Sequence, residues 1–210
     1  VPFSSVNIGI PNSDDAALVC EIFLEEYEKG LGKGEQPIFP NIIFRVKDGV
    51  NREEGDPYYY LYKLACRVAA KRMNPTFMNI DADFNKEYYN QGYMPATMGC
   101  RTYLMKNVNG EPGCKGRGNI APTTINLPRI GIQAKGNIEK FFELFQERID
   151  LAEEALMHRY GVLKNLRVKD LPFVAGQHLM KGAEGLSGED SIEPILKQGT
   201  WGIGFIGLAE

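Results

Sequence analysis

The feature that most constrains this 210-residue chain is a change of hydrophobic period that recurs along it. Short apolar runs of strand character, among them NIIFRV (41–46), Thr76 to Ile80 and TWGIGFIGL (200–208), are separated by longer segments of helical period. The longest helical segment runs from about Ile138 to Tyr160. Ile138, Phe141, Phe142, Phe145, Ile149, Ala152, Leu156 and Tyr160 hold a 3.6-residue period there. Apolar strands interleaved with amphipathic helices bury their faces best as a largely parallel sheet covered by helices, so the pattern predicts an α/β fold. At 43% hydrophobic residues the chain has enough apolar material for one compact core or two small ones.

Local signals fill in the rest. Val1 to Ile10 reads as a strand, alternating through Phe3, Val6 and Ile8. Asn12, Ser13 and Asp14 offer N-caps for a helix running to about Gly30, with Leu18, Ile22, Phe23 and Tyr27 on one face. Pro57 suits the first turn of a helix that extends through Met73. ATMGCRTYL (96–104) looks like the start of a strand, and TTINLPRIGI (123–132) and LPFVAGQ (171–177) read as further strands. SIEPILKQ (191–198) reads as a short helix, and TWGIGFIGL as a last, buried strand.

Charge and cysteine usage narrow the function classes. A formal charge of −3 lacks the basic surplus that nucleic-acid binding requires, so no nucleic-acid partner is expected. No apolar run reaches the length of a membrane span, and no leader with a cleavage site is recognisable, so no membrane partner is expected either. The four cysteines, at 20, 66, 100 and 114, form no CxxC and have no histidine at a zinc spacing. That predicts no metal site in this chain and fits a reducing cytoplasm. Cys20 and Cys66 fall inside helical patterns and are expected as buried thiols. The opening VPFSSVNIGI and the closing GFIGLAE both read as interrupted elements, so the chain is expected to be a piece of a longer polypeptide.

Several motifs have plain readings. GLGKGEQ (30–36) lacks the GxxxxGK[ST] spacing and follows a helix, so a helix C-cap and loop explain it better than a phosphate cradle. DADFNKE (81–87) lacks the glycine and terminal glutamate of a calcium loop. His158 and His178 have no neighbours arranged as a hydrolytic triad. The segment from Cys100 to Arg129 is richer. A thiol near a strand start is followed by a glycine-rich loop and a strand carrying Thr123, Thr124 and Asn126, polar groups that need buried partners or a ligand. On spacing alone, a bystander cysteine in a hairpin-like excursion and a reactive thiol facing a polar cavity both remain open. A Cys100–Cys114 disulfide fits poorly with a reducing compartment.

MGCRT, GRGN and TTINLPRI resemble the catalytic subunit of the anaerobic (class III) ribonucleotide reductase family, which are glycyl-radical enzymes. VPFSSVN, YEKGLGKGEQPIFPNIIFRVK, LACRVAAKRMNPTF, LMHRYGVL, VKDLPFVAGQ and GTWGIGFIGLAE extend the resemblance, in order, over essentially all 210 residues. It implies that residues 1–210 are one segment of a ten-stranded α/β barrel with an internal finger loop. The implied activity is the reduction of ribonucleoside triphosphates to 2′-deoxyribonucleoside triphosphates. Cys100 matches the family's radical-carrying cysteine, which as a thiyl takes the 3′ hydrogen of the ribose. Gly99 would allow a tight turn, and Arg101 is expected to anchor the loop from outside. Asn119, preferred, and Asn126 are the candidates for polar contact with the ribose hydroxyls. Ser4, Ser5 and Asn7 are expected to line the barrel near substrate. Gly204, Gly207 and Leu208 are expected in a strand-to-helix turn that receives the nucleotide phosphates.

The resemblance also implies partners: nucleotide effectors such as ATP, a second copy in a homodimer, and an activating enzyme with an iron–sulfur cluster and S-adenosylmethionine. Electrons would come from formate or a dithiol. The glycyl-radical and four-cysteine zinc regions, the N-terminal ATP-binding cone and a second active-site cysteine have no counterpart in these residues, and no cofactor is expected on the segment itself. Gly92-Tyr93 lacks the Arg-Val lead-in of a glycyl-radical site and lies upstream of Cys100. A segment on its own is expected to be catalytically silent, with exposed strand edges inviting association. The alternatives are a non-catalytic structural fragment and a glycyl-radical enzyme of the formate-lyase type.

Overall fold

The computed structural model describes residues 4–98 and 101–209, which form two compact units, 1–105 and 106–210. In the first, β1 (Ser5–Ile8), β2 (Asn41–Val46) and β3 (Thr76–Asn79) make a parallel sheet in the order β1-β2-β3. The crossovers contain α1 (Asp14–Lys29) and α2 (Tyr59–Arg72), and α3 (Asp83–Asn90) follows β3. Helix α1 starts where the sequence indicates: the Ser13 side chain accepts a hydrogen bond from Ala16 N at 3.2 Å, and Asp14 and Asp15 occupy the first turn.

Strand alternation gives β2 two different faces. Ile42 and Phe44, both fully buried, pack with Ala17, Cys20, Leu24 and Tyr27 of α1 and Leu61, Leu64, Ala65 and Val68 of α2. Ile43 points the other way and clusters with Met78, Ile80, Ile10, Tyr89 and Tyr103. Two helix faces differ from expectation. In α1 the buried stripe is 17, 20, 24 and 27, because small residues at 17 and 20 let the helix lie close to the sheet; Leu18 and Ile22 are exposed. In α2 it is Ala65 that meets the core, which turns Cys66 outward to solvent, whereas Cys20 is buried as expected. The GLGKG loop is filled by protein: the Arg72 guanidinium donates to Glu28 O and Gly34 O, both at 2.9 Å, closing the end of α1.

In the second unit, β4 (Asn119–Asn126) pairs in parallel with β5 (Thr200–Ile206), and α4 (Leu127–Ala134), α5 (Ile138–Leu163) and α6 (Glu193–Gln198) lie between them in sequence. Three expectations are corrected here. TTINLPRIGI is half strand and half helix: the Asn126 side-chain oxygen Oδ1 accepts from Arg129 N at 3.0 Å, and Pro128 sits in the first turn of α4. LPFVAGQ folds as successive turns after a short 3-10 helix, Val168–Asp170. There Ala175 N donates to Leu171 O, and a side chain at Gly176 would strike Pro172 O. TWGIGFIGL is a strand but not a buried one, because β4 is its sole strand partner among the described residues. Helix α5 buries Ala152 and Leu156 along the expected stripe, while Ile138 and Phe142 stay exposed.

Candidate active site

Gly99 and Cys100 lie outside the described residues, but both approaches to them are defined. The segment expected as a strand instead makes a single antiparallel bridge, Thr97 with Tyr103. Met98 N donates to Thr102 O at 3.1 Å and Arg101 N donates to Met98 O at 2.7 Å, with Arg101 at φ +67. The two arms flanking the cysteine are therefore closed on each other by backbone hydrogen bonds.

The first arm is tied to the sheet. Asn7 pairs with Ile43 in register, which puts it on the face of the sheet away from α1 and α2. Its amide meets the Thr97 peptide at both ends: Asn7 Nδ2 donates to Thr97 O at 3.0 Å, and Thr97 N donates to Asn7 Oδ1 at 3.3 Å. Arg45, two residues after Ile43 on the same face, donates through Nε to Pro95 O at 2.8 Å and through a terminal nitrogen to Asn7 O at 3.4 Å. Sequence reasoning passed over Arg45. The available signal was a guanidinium inside the apolar run NIIFRV, a charge that demands a partner.

The second arm borders a cleft of 370 Å³ lined by Ile43, Met78, Asn85, Thr97, Arg101 and Tyr103, among others. Arg101 thus faces a cleft next to the sheet. The Tyr103 hydroxyl donates to Phe84 O at 2.9 Å, and its ring stands edge-on to Phe84 and Tyr88. Burial, reinforced by Tyr88 and Glu87, pushes the Tyr103 phenol up to about 12, so it stays protonated through the neutral range. Among the described residues no group of three or more His, Cys, Asp or Glu side chains is placed to hold a metal ion.

The remaining candidates divide between two ends of strands. Ser4 is exposed and Ser5, half-buried, pairs with Asn41 at the start of β1. Asn119 pairs with Thr200 at the start of β4, beside a bulge, and Asn126 pairs with Ile206 at its end. Seven strand steps separate the two asparagines by roughly 23 Å, too far for both to contact one ribose. Asn126 shares its end of the strand pair with Gly207, at φ +75, and Leu208; Gly204 pairs with Thr124 two steps back. A cleft of 470 Å³ beside β4 is lined by Thr123, Thr124, Asn126, Arg129 and Arg148, and the Thr123 hydroxyl is buried with no hydrogen-bond partner.

Parallel strand pairs joined through helices in both units define an α/β protein. Residues 1–210 match the family model described as anaerobic ribonucleoside-triphosphate reductase, and the chain belongs to that family. It is 36% identical to the anaerobic ribonucleoside-triphosphate reductase of Escherichia coli (strain K12), covering 100% of this chain and 29% of that protein. It is 35% identical to the protein of the same name from Enterobacteria phage T4, covering 100% of this chain and 35% of that one. The chain therefore spans about a third or less of the length of these relatives. The crystal structure of the anaerobic ribonucleotide reductase from Thermotoga maritima with citrate in the active site aligns at a TM-score of 0.40. Its identity is 16% over 96% of this chain and 44% of that one, too loose an overlay to carry an argument. The family match sets aside the formate-lyase-type alternative.

Proposed function

We propose that this chain is the thiyl-bearing part of an anaerobic ribonucleoside-triphosphate reductase, an oxidoreductase that makes 2′-deoxyribonucleoside triphosphates. The observation that carries the reading is the pair of closed arms flanking Cys100, tied to the face of a parallel sheet opposite α1 and α2 in a chain of this family. Cys100 as a thiyl takes a hydrogen atom from ribose C3′: the S–H bond forms as the C–H bond breaks, and the unpaired electron passes to the sugar. A glycyl radical outside these 210 residues would supply the thiyl by taking the hydrogen atom of the Cys100 thiol, the one contribution of that group. Replacing the 2′ hydroxyl by hydrogen, with the hydroxyl leaving as water, then needs two protons and two electrons. Formate leaving as carbon dioxide would supply both electrons and one proton, the second coming from solvent, or a dithiol closing to a disulfide would supply all of them. The thiol then returns its hydrogen to C3′ and is left as the thiyl.

The same reading takes in the ten-stranded barrel, to which the strands of this segment would contribute. Its substrate is a ribonucleoside triphosphate, with phosphates at the turn Gly204, Gly207 and Leu208 and sugar contacts from one asparagine, Asn119 or Asn126. Ser4 and Ser5 would line the same cavity. An activating enzyme with an iron–sulfur cluster and S-adenosylmethionine, nucleotide effectors, a homodimer and a cytoplasmic setting belong to it as well.

The test uses the full-length reductase containing this segment, activated under anoxia. Cys100→Ser is expected to abolish nucleotide reduction and leave the glycyl-radical signal in the electron paramagnetic resonance spectrum intact. Retained reduction would remove the central assignment.

A further inference from the structure

We propose that Asn7 and Arg45 are positioning residues for the Cys100 thiol, and that Asn7 does not contact substrate; this rests on the role proposed for Cys100. A hydrogen atom moves between sulfur and carbon only at close approach, so the loop carrying the thiol must be held against the sheet to a fraction of an ångström. Three residues before Cys100, the Thr97 peptide is gripped at both of its polar groups by one side chain, 90 positions away in sequence. Only a carboxamide of this length does that. It gives one N–H to Thr97 O and takes Thr97 N–H on its oxygen, as a neighbouring strand would. Aspartate has no hydrogen to give, serine has too little reach, and glutamine adds a methylene that shifts the grip.

Arg45 completes the clamp. Its Nε holds Pro95 O at 2.8 Å, and it also reaches the backbone oxygen of Asn7 at 3.4 Å, linking β1, β2 and the approach to the loop. Pro95 is itself fully buried, so this anchor point lies inside the first unit. One hydrogen on Asn7 Nδ2 and one lone pair on its oxygen are thus taken by Thr97. A ribose hydroxyl is left only the second hydrogen and the second lone pair, and the amide cannot turn toward it without releasing Thr97.

The full-length reductase carrying Asn7→Ala, Asn7→Asp or Arg45→Lys, activated anaerobically, tests this. Rates are expressed per glycyl radical, so that loss of folded or activated protein cancels. A misplacement of about 1 Å costs on the order of 100-fold in rate. Asn7→Ala is therefore expected to lower kcat by roughly that factor with KM for the nucleotide unchanged. The kinetic isotope effect from deuterium at C3′ should rise, because hydrogen-atom transfer becomes the slow step. Asn7→Asp keeps the acceptor for Thr97 N and should fall between Ala and wild type. It conserves volume and carries the test if the alanine variant does not accumulate. Arg45→Lys should show the same isotope signature in weaker form. A raised KM with kcat and isotope effect at wild-type values would make Asn7 a substrate contact and overturn the proposal, as would wild-type kinetics in both Asn7 variants. Cys100→Ser, run in parallel, separates the two ideas: if it still reduces nucleotide, the role of Cys100 falls; if it is inactive, a wild-type Asn7→Ala sinks only the clamp.

Discussion

In the first unit, NIIFRV lies between two parallel partners with α1 and α2 on one face, and Ile42 and Phe44 are completely buried. In the second, TWGIGFI has β4 alone beside it, and Ile203, Phe205 and Ile206 are 42%, 57% and 56% exposed. The two stretches are about equally apolar. Their burial differs because a strand is covered by elements far away in sequence, and its own composition says nothing about which of them arrive. The largest predicted effect sharpens this contrast. Phe44→Ala should cost about 3–5 kcal/mol of unfolding free energy, as a full aromatic cavity does. Phe205→Ala should stay within about 1 kcal/mol. Denaturant titrations of the two variants that gave equal losses would break the comparison.

A second contrast concerns glycine. Gly9, at the end of β1, has φ +109, and a Cβ there would lie 2.5 Å from Arg45 O and 2.8 Å from Arg45 N. Its carbonyl also receives the buried Asn51 amide, which donates to Arg45 O as well. Both the backbone angle and the space forbid a side chain, so Gly9→Ala is predicted to destabilise by about 1–3 kcal/mol. Gly202, inside β5, would put a Cβ into open space, and Gly202→Ala should be close to neutral in the same thermal melts. A tolerant Gly9 would mean that β1 is not pressed against β2 as described.

How much of this was legible in the sequence varies with the range of the interactions involved. The Ser13 cap, the strand at NIIFRV and the helical period of α5 are local patterns and read correctly, although Ile138 and Phe142 of the α5 stripe stay exposed. The division of TTINLPRIGI at Asn126 was also local; a capping asparagine followed by Pro128 is a helix start, obscured because both halves are apolar. LPFVAGQ misled because a short apolar run fits strand and turn alike until its backbone bonds are known. The site behaves differently. Cys100 was reached through family resemblance, whereas the pairing of Asn7 with Thr97 joins positions 90 apart and has no sequence signature at all. Asn119 is preferred to Asn126 in sequence only slightly, and the two are set apart in space by the length of β4.

The two thiols of α1 and α2 give a smaller, pH-dependent contrast. Burial against the sheet pushes Cys20 up from 9.0 to about 11, with a backbone hydrogen bond from Gly9 opposing part of the rise. The unfolded chain then releases this proton at lower pH than the folded one. Folding stability from Cys20 is therefore complete below about pH 9 and is lost as pH rises toward 11. Cys20→Ala should flatten that part of the stability–pH curve relative to wild type, read as the difference in urea midpoint at each pH. In the native protein at pH 8, exposed Cys66 should take an alkylating reagent long before Cys20 does.

The smallest effect bears on the sparse second unit. The Thr123 hydroxyl is buried on β4 with no hydrogen-bond partner, beside the 470 Å³ cleft. The buried amides of Asn51 and Asn74 in the first unit, by contrast, hold backbone groups. An unpaired hydroxyl gives up its hydration for nothing, so exchanging it for a methyl of nearly the same shape removes a penalty and adds apolar contact. Thr123→Val is accordingly predicted to be neutral or to stabilise by up to about 1 kcal/mol in denaturant titrations. A loss of more than about 1 kcal/mol would mean that the hydroxyl has a partner when the protein is folded in solution. Thr123 would then belong with satisfied polar groups such as Asn51 and Asn74, whereas the buried Asn85 Oδ1 of the first unit is, like Thr123, without a partner.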